Sequence, residues 1–523
     1  MMKKLITLLL AVIMIASLFA ACNDTPNTPE STKKPTGSEQ KETGKATGGG
    51  DATGDSTDAP PTDPEKTLNV DLDALDYGNR EFYIYHWKTG NPEFAASEEA
   101  EEGDPINNAL YMRNLRIEEG LGIKLNFHGE NGGDTEQDAF RSKYETRISD
   151  PETPVDIIAA YSRTAPYMLV GGHTVDLYGY SDDLDINKAW WPNNVRQEHE
   201  IKGRLFYTSG DASTGLLTMM EIFFVNKTML EGLGYDYEVF IKDVINGKWT
   251  IDKFIEMTST VYQDADDKPG KSEGDVFGLV TNAVTGSDSL YIGMGYRLFD
   301  ISSDEDVVYT LSADLLGENA NSYVKKINDW WNTSGVFCSG MNVLPSVGNG
   351  GMAEMFSSSK ALFLSHRIGY FDASVCEVDF TIIPAPKLNE AQTIYLTNVG
   401  NPYSLFSISA SALDKDLCAQ MLQTWGYYGY ELTTPAIFEV TFKGKFAKDD
   451  YAIQLFDIIR SGITFEIGRT FDRITGTMLP NLLSGTISTN ATWTTKLSAT
   501  KKKVLQNGID SVNTKLLQVI DLS

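Results

Sequence analysis

The chain predicts an α/β fold with a largely parallel sheet, and three features carry that reading. Glu81–His86, Ile106–Gly120, Ile123–Phe127 and Val155–Ala160 follow one another as strand, helix, strand and strand. An apolar strand ending in Asn226-Lys227 is followed by a capped amphipathic helix after Trp249. Two further apolar runs, Ala361–Ser365 and Asp379–Ile383, are short enough for strands, and Pro384 and Pro386 stop the second.

The 523 residues suffice for two domains or one two-part unit with sizeable cores. Apolar residues make up 41% and charged residues 22%, as in globular chains. The formal net charge of −28 argues against nucleic acid as a partner, because phosphate binding needs clustered cations. It argues equally against adsorption to anionic lipid through a basic face.

Met1–Ala21 opens with Lys3 and Lys4 and continues with an apolar run, Leu5 to Ala16, too short and too close to the N-terminus for a stable membrane span. It reads as an export signal. Leu18-Phe19-Ala20-Ala21-Cys22 looks like a lipobox, which would make Cys22 the lipid-modified first residue of the mature chain. The alternative is ordinary cleavage that leaves Cys22 a thiol. Residues 22–66 are Thr, Pro, Gly, Ser, Asp, Glu and Lys with hardly an aliphatic side chain. Such a segment cannot offset its ordering entropy by burial and is predicted to be a disordered tether. Cys338, Cys376 and Cys418 match no zinc spacing, permit at most one disulfide, and read as small buried apolar residues.

Within the folded part, Ile106, Leu110 and Ile117 share a helix face that ends near Gly120 and Gly122. Ile123–Phe127 alternates as a strand, and Val155–Ala160 is a buried strand with Tyr161-Ser162-Arg163 at its exit. Gly203–Asp211 is predicted as a strand ending at Gly210-Asp211. Thr250 caps a helix with Ile251, Phe254, Ile255, Thr258, Val261 and Tyr262 inward. Asp264–Gly274 is a polar loop, and Ser322–Asn332 a helix closed by Trp330-Trp331. Tyr403–Ser409 is a strand, followed by a helix with Leu417, Met421, Leu422 and Trp425 inward. The last forty residues read as amphipathic helix.

Strings reminiscent of enzymes are present but disordered in sequence. Ser322–Lys325 and Ser357–Lys360 fit S-x-x-K and Lys88-Thr89-Gly90 fits K-T-G, in the reverse of the chain order a penicillin-recognising enzyme needs. There is no G-x-S-x-G, H-E-x-x-H or phosphate loop. The five histidines show no metal spacing. Asp183–Asn194 begins like a calcium loop but has Lys188 where the turn Gly belongs. No catalytic residue, cofactor or metal is assigned.

Between Asn187 and Ile255 the chain carries a Trp190-Trp191 pair, a Gly210-Asp211-Ala212-Ser213 turn, the strand end Phe224-Val225-Asn226-Lys227 and the helix start Gly247-Lys248-Trp249-Thr250. In this order they resemble the extracellular solute-binding proteins of ABC importers, family 1, maltose-binding-protein-like, and in particular clostridial-type lipoproteins. Ala361–Ser365 with the following Pro-x-Pro, Pro435–Lys448 and Asp457–Arg460 fit the same pattern, so the likeness covers roughly 68–480. One departure is Ser359, where the family usually has Gly before Lys360.

The resemblance implies a two-lobed, periplasmic-binding-protein-like α/β fold of the maltose-binding type, with discontinuous lobes and an interlobe cleft. Lobe I would take 67–212 and 393–445, and lobe II 213–392 and 446–523, with Gly210–Gly215 the first crossing. It implies an extracellular, lipid-anchored monomer, bound to lipid through its N-terminal anchor alone. It would capture a carbohydrate, an oligosaccharide, and pass it to ABC importer membrane subunits without altering it. A secreted glycan-active enzyme and a surface adhesion or scaffold protein are the alternatives.

The candidate ligand contacts are residues at strand exits and crossings, where an aromatic plate can cover a sugar's C–H face and planar polar groups its hydroxyl rim. They are Trp87, Tyr161, Arg163, Asp211, Tyr296, Arg297, His366, Arg367, Phe471 and Arg473. For Trp87 the competing role is packing at a lobe edge, and for Asp211 it is capping its own turn. Of Trp190 and Trp191 at most one can face a ligand, because neighbours on an extended segment point to opposite sides. Trp249 and Trp425 read as core.

Overall fold

The computed structural model describes residues 64–90, 92–96, 104–333, 336–339, 349–373, 376–442, 451–475, 485–486 and 491–522, and within the chain Thr62–Ser523 forms one compact unit. The segment read as an export signal, Cys22, the predicted tether up to residue 63 and residues 443–448 lie outside the described part. The last residues of the predicted tether are described: Pro64–Lys66 forms a single turn, and the Glu65 carbonyl accepts from the Ala189 amide at 2.9 Å.

The strands in chain order are β1 (Arg80–Trp87), β2 (Ile123–Glu130), β3 (Ile157–Tyr161), β4 (Glu221–Asn226), β5 (Phe277–Asn282), β6 (Phe299–Ile301) and β7 (Tyr309–Leu311). They continue with β8 (Val336–Ser339), β9 (Ala361–Arg367), β10 (Phe380–Ile383), β11 (Thr397–Asn398), β12 (Ser404–Ile408) and β13 (Ile463–Thr464). Two sheets dominate. One has the order β12-β3-β1-β2 and the other β10-β4-β9-β5-β8. β1 pairs parallel with β2 and β3, while β12 runs antiparallel on the edge. In the second sheet β5 is parallel to β8 and β9, and β4 is antiparallel to both β9 and β10. The chain therefore leaves the first sheet after β3, builds the second, and returns at β12.

The first sheet is buried on both sides, and the period of two assigns each side chain to a face. Phe82 and Ile84 of β1 face a core with Ile123, Ile157, Phe406, Leu417 and Trp425, whereas Tyr85 and Trp87 face the other core with Phe140, Tyr144 and Tyr161. Helix α1 (Pro105–Leu121) starts at Asp104, whose carboxylate accepts from the Asn107 amide, and ends at Gly122 with φ 64°. Helix α2 (Ile251–Ser259) is capped by Thr250 and buries Ile251, Phe254, Met257 and Thr258. Helix α3 (Ala283–Gly293) begins directly after β5 on the Asn282 cap. Helix α4 (Glu318–Thr333) buries both Trp330 and Trp331. Helix α5 (Lys415–Tyr428) packs Leu417, Met421, Leu422 and Trp425 inward, and α6 (Ala499–Leu522) closes the chain. No described helix is long and apolar enough to cross a membrane. Cys376 and Cys418 are free, buried thiols.

One expectation needs correction. Gly203–Asp211 forms no regular strand: Thr208 exchanges backbone hydrogen bonds with Phe406, and Ile201 bridges Arg204, but the ladder goes no further. The chain bends away at Gly210, which lies so close to the Trp190 carbonyl that a Cβ there would sit 2.1 Å from its oxygen. The tryptophan pair next to it stays within the expected limit of at most one ligand-facing ring. Trp190 and Trp191 are both buried, and both indole N–H groups donate to Gln423 Oε1, at 3.4 and 2.9 Å. At Ser359, where a Gly is the usual residue, φ is 57°, so the turn keeps its left-handed geometry on a Ser that also accepts from Asn226.

Gly210→Ala is therefore expected to force the segment off the Trp190 backbone. Denaturant titration should show a loss of about 1–3 kcal/mol, the usual cost of overpacking. An unchanged midpoint would mean that this contact is loose.

Candidate functional site: a charged cavity at the strand ends

A cavity of about 440 Å³ lies where the carboxyl edges of the two sheets meet, the place where open α/β sheets hold ligands. From the first sheet come Asp134, after β2, then Tyr161 and Arg163 at the end of β3, and Asn401 and Pro402 just before β12. From the second come Arg367, the last residue of β9, and Val284, Thr285 and Asp288 on the first turns of α3. Arg469, Asp472 and Arg473, which follow β13, complete the lining.

Seven of these twelve side chains are charged, and they are arranged in pairs. Arg163 Nη1 donates to Asp134 Oδ1 at 2.7 Å, and its Nη2 lies 2.7 Å from Asp472 Oδ2. Arg473 grips Asp134 with Nε at 3.3 Å and with Nη2. Arg163 and Asp134 belong to the first sheet's loops, and Asp472 and Arg473 to the segment after β13, so this chain of four joins the two segments within the cavity lining. With its amide oxygen turned toward Arg163, Asn401 accepts from Nε at 3.0 Å and Nη2 at 2.8 Å. On the other wall Arg469 Nη1 pairs with Asp288. Arg367 stands opposite Glu221 in the β4–β9 ladder, and its Nε lies 3.4 Å from Glu221 Oε1. The second Glu221 oxygen accepts from Asn398 at 2.8 Å.

Burial and pairing act in opposite directions on these acids. Burial pushes Asp134 up, but the hydrogen bonds from Arg473 and Arg163 outweigh it and hold the carboxyl below its ordinary range. For Asp472 burial wins over Arg163, Arg473 and Arg469, and its value rises to about 6. Burial likewise lifts Glu221 to about 7 against the pull of Arg367 and Arg469.

Of the ten residues singled out from the sequence, Tyr161, Arg163, Arg367 and Arg473 meet at this cavity. The other six do not line it. Asp211 is 1% exposed and bound to Arg460 through Nε at 3.1 Å and through Nη2, so it is neither a cleft residue nor a turn cap. Phe471 is fully buried with its ring against Tyr309, because the turn that carries Asp472 and Arg473 to the cavity sends it inward. Trp87 lies behind Tyr161, ring centroids 5.0 Å apart, with its indole N–H on Ser404 Oγ. His366 is buried, and its Nδ1 accepts from the Arg367 amide at 2.8 Å. Tyr296 and Arg297 line a separate hollow of about 20 Å³ that shares Asp288 and Arg469 with the main cavity, and Arg297 is paired with Glu198.

Asp134, Asp288, Asn401, Arg469 and Asp472 escaped the sequence reading. Two had a usable signal. Asp472 sits between two residues that were chosen, and Asp288 lies one and a half turns into a helix whose Asn282 cap directly follows a strand.

No protein-family model and no curated protein sequence matches the chain. Among solved structures it is similar to the sugar-binding protein MalE from the phytopathogen Xanthomonas citri, with a TM-score of 0.51 at 11% identity over 84% of this chain and 100% of that one. A cyclo/maltodextrin-binding protein complexed with maltotetraose gives 0.49 at 12% identity over 83% of this chain and 97% of that one. A family 1 extracellular solute-binding protein from Bifidobacterium longum subsp. infantis gives 0.44 at 17% identity, over 85% and 100%. The likeness to the Xanthomonas protein establishes the fold: a two-lobed α/β architecture of the maltose-binding type.

The raised value of Asp472 has a definite consequence. Between about pH 4 and about pH 6 the folded chain keeps a proton on Asp472 that the unfolded chain has lost. The folded state binds more protons in that window, so this group's contribution to stability falls as pH rises through it, by about 3 kcal/mol in all. Asp472→Asn removes the contribution. Urea titrations at about pH 4 and about pH 7 should show a smaller decline for the variant than for the parent chain; equal declines would mean that Asp472 titrates normally.

Proposed function

We propose that this chain is the substrate-binding protein of an ABC importer. It is exported, anchored through a lipidated Cys22 to the outer face of the cytoplasmic membrane, and held away from that surface by the tether of residues 22–66. It captures a carbohydrate, an oligosaccharide with one end in the cavity, and delivers it unaltered to the importer's membrane subunits. The lobes are 67–212 with 393–445, and 213–392 with 446–523.

One observation carries this reading. A cavity walled by paired guanidinium and carboxylate groups lies at the strand ends of two separate sheets, in a fold shared with a protein named for sugar binding. Planar groups of this kind match neighbouring hydroxyls two at a time, and fixed pairs hold them in place before the ligand arrives. Closure of the lobes would complete the contacts, and ligand would shift the population toward the closed form. The bridging chain Arg473–Asp134–Arg163–Asp472 joins the two sides and is the set of contacts that such a motion makes and breaks.

The reading is tested by calorimetry and thermal unfolding of the purified chain against a glycan panel. A true ligand present at one hundred times its dissociation constant should raise the unfolding free energy by roughly 2.7 kcal/mol. The radius of gyration from solution scattering should fall at the same time. Response to peptides alone would move the ligand class away from sugars. Polymer binding with unchanged scattering would favour a surface adhesion role, and turnover of the glycan would favour an enzyme.

A further inference from the structure

We infer that the guest carries an oxyanion, as in a uronate or a sulfated sugar, and that Arg367 is the residue that selects it. The inference rests on the carbohydrate-receptor reading and narrows it.

The three carboxylates that line the cavity are already engaged by guanidinium groups. Asp134 is held by Arg163 and Arg473, Asp472 by Arg163, and Asp288 by Arg469. Arg367 is placed differently. The one carboxylate at ion-pair distance from it among the described residues is Glu221, which lies behind the cavity wall and meets Nε alone. Nη1 reaches no oxygen among the described residues, its contact being the Met219 sulfur at 3.8 Å, and Nη2 has no described hydrogen-bond acceptor. The terminal edge of the fork is left for the guest, and that edge fits a planar oxyanion in two-point fashion.

The fork is also pre-set. Gly400 lies against it: a Cβ there would stand 2.5 Å from Nε, 2.6 Å from Cζ and 2.7 Å from Nη2. The Tyr370 ring lies 5.6 Å from Cζ. Only a residue without a side chain at 400 lets the guanidinium occupy this seat.

Two further features favour negative charge. The lining has four arginines against three aspartates and no lysine, in a chain whose overall charge is −28. The N-terminal turn of α3, with Val284 and Thr285, faces the same cavity, and the first turn of an eleven-residue helix carries partial positive charge. The open aromatic plate that a neutral sugar face would use is missing from the described lining: Tyr161 is its one aromatic residue, and it is 4% exposed.

The test compares matched pairs of ligands on the full chain by calorimetry: galacturonate and glucuronate oligosaccharides against the galactose and glucose oligosaccharides of the same linkage, and sulfated against unsulfated forms. The acidic member of at least one pair should bind ten-fold or more tightly, with the uronate and sulfate arms identifying which oxyanion is meant. Arg367→Gln should weaken the acidic member of that pair at least ten-fold more than the neutral one and so abolish the preference. Arg367→Lys, which keeps charge but not the fork, should restore only part of it. Gly400→Ala leaves the arginine in the sequence but displaces it, and should lose the same preference; circular dichroism melts of each variant separate this from unfolding. Equal affinity for both members of every pair, or an equal loss of both in Arg367→Gln, overturns the oxyanion assignment and leaves the receptor standing. Silence toward every acidic and neutral glycan overturns both.

Discussion

An acid buried in a seam between sheets must be met by a cation or give up its charge, and this constraint organises the molecule. The chain passes between its two sheets more than once, and buried acid–arginine pairs tie remote segments together at these passages. Asp211, just before the second sheet begins, is bound to Arg460, which also donates to the Ala189 carbonyl at 2.9 Å. Glu198 joins Arg297 and accepts from Thr464, fastening the short helix Asn193–His199 to β13. Glu221, the first residue of β4, holds Arg367 and Asn398 of β11 together. None of these pairs is a strong source of stability in itself, since desolvation offsets most of the attraction. Loss of one partner is what costs, about 3–5 kcal/mol for a fully buried pair. Their role is to fix where remote segments sit relative to one another, and the cavity inherits that placement.

Much of the fold was legible because it rests on local rules. Thr250 sits where a cap belongs and is one. The apolar runs Ile157–Tyr161 and Ile222–Val225 lie in fully buried strands, and the stripe through Leu417, Met421 and Trp425 faces the core. The failure at Gly203–Asp211 has the same origin in reverse. Its residues have strand character, but only Thr208 pairs with a strand of the sheet, and that pairing is decided by β12, about two hundred residues away.

The site was less legible for a related reason. Strand exits could be found, and they led to Tyr161, Arg163 and Arg367. What could not be read was the depth of each side chain. Trp87 and Tyr161 both end strands, yet one ring sits behind the other. Asp211 looked like a turn residue beside a cleft because its partner, Arg460, is far off in sequence. Phe471, Asp472 and Arg473 are consecutive, and the backbone turn alone decides that the first enters the core while the next two meet the cavity.

The stacking of Tyr161 edge-on against Trp87 gives the protein a property separate from recognition. The indole meets the phenol ring at 5.0 Å between centroids, and that ring is part of the cavity wall. A molecule settling against the phenol would alter the local field of a fluorophore it never touches. Occupancy of the cavity would then be readable from intrinsic fluorescence, without a label.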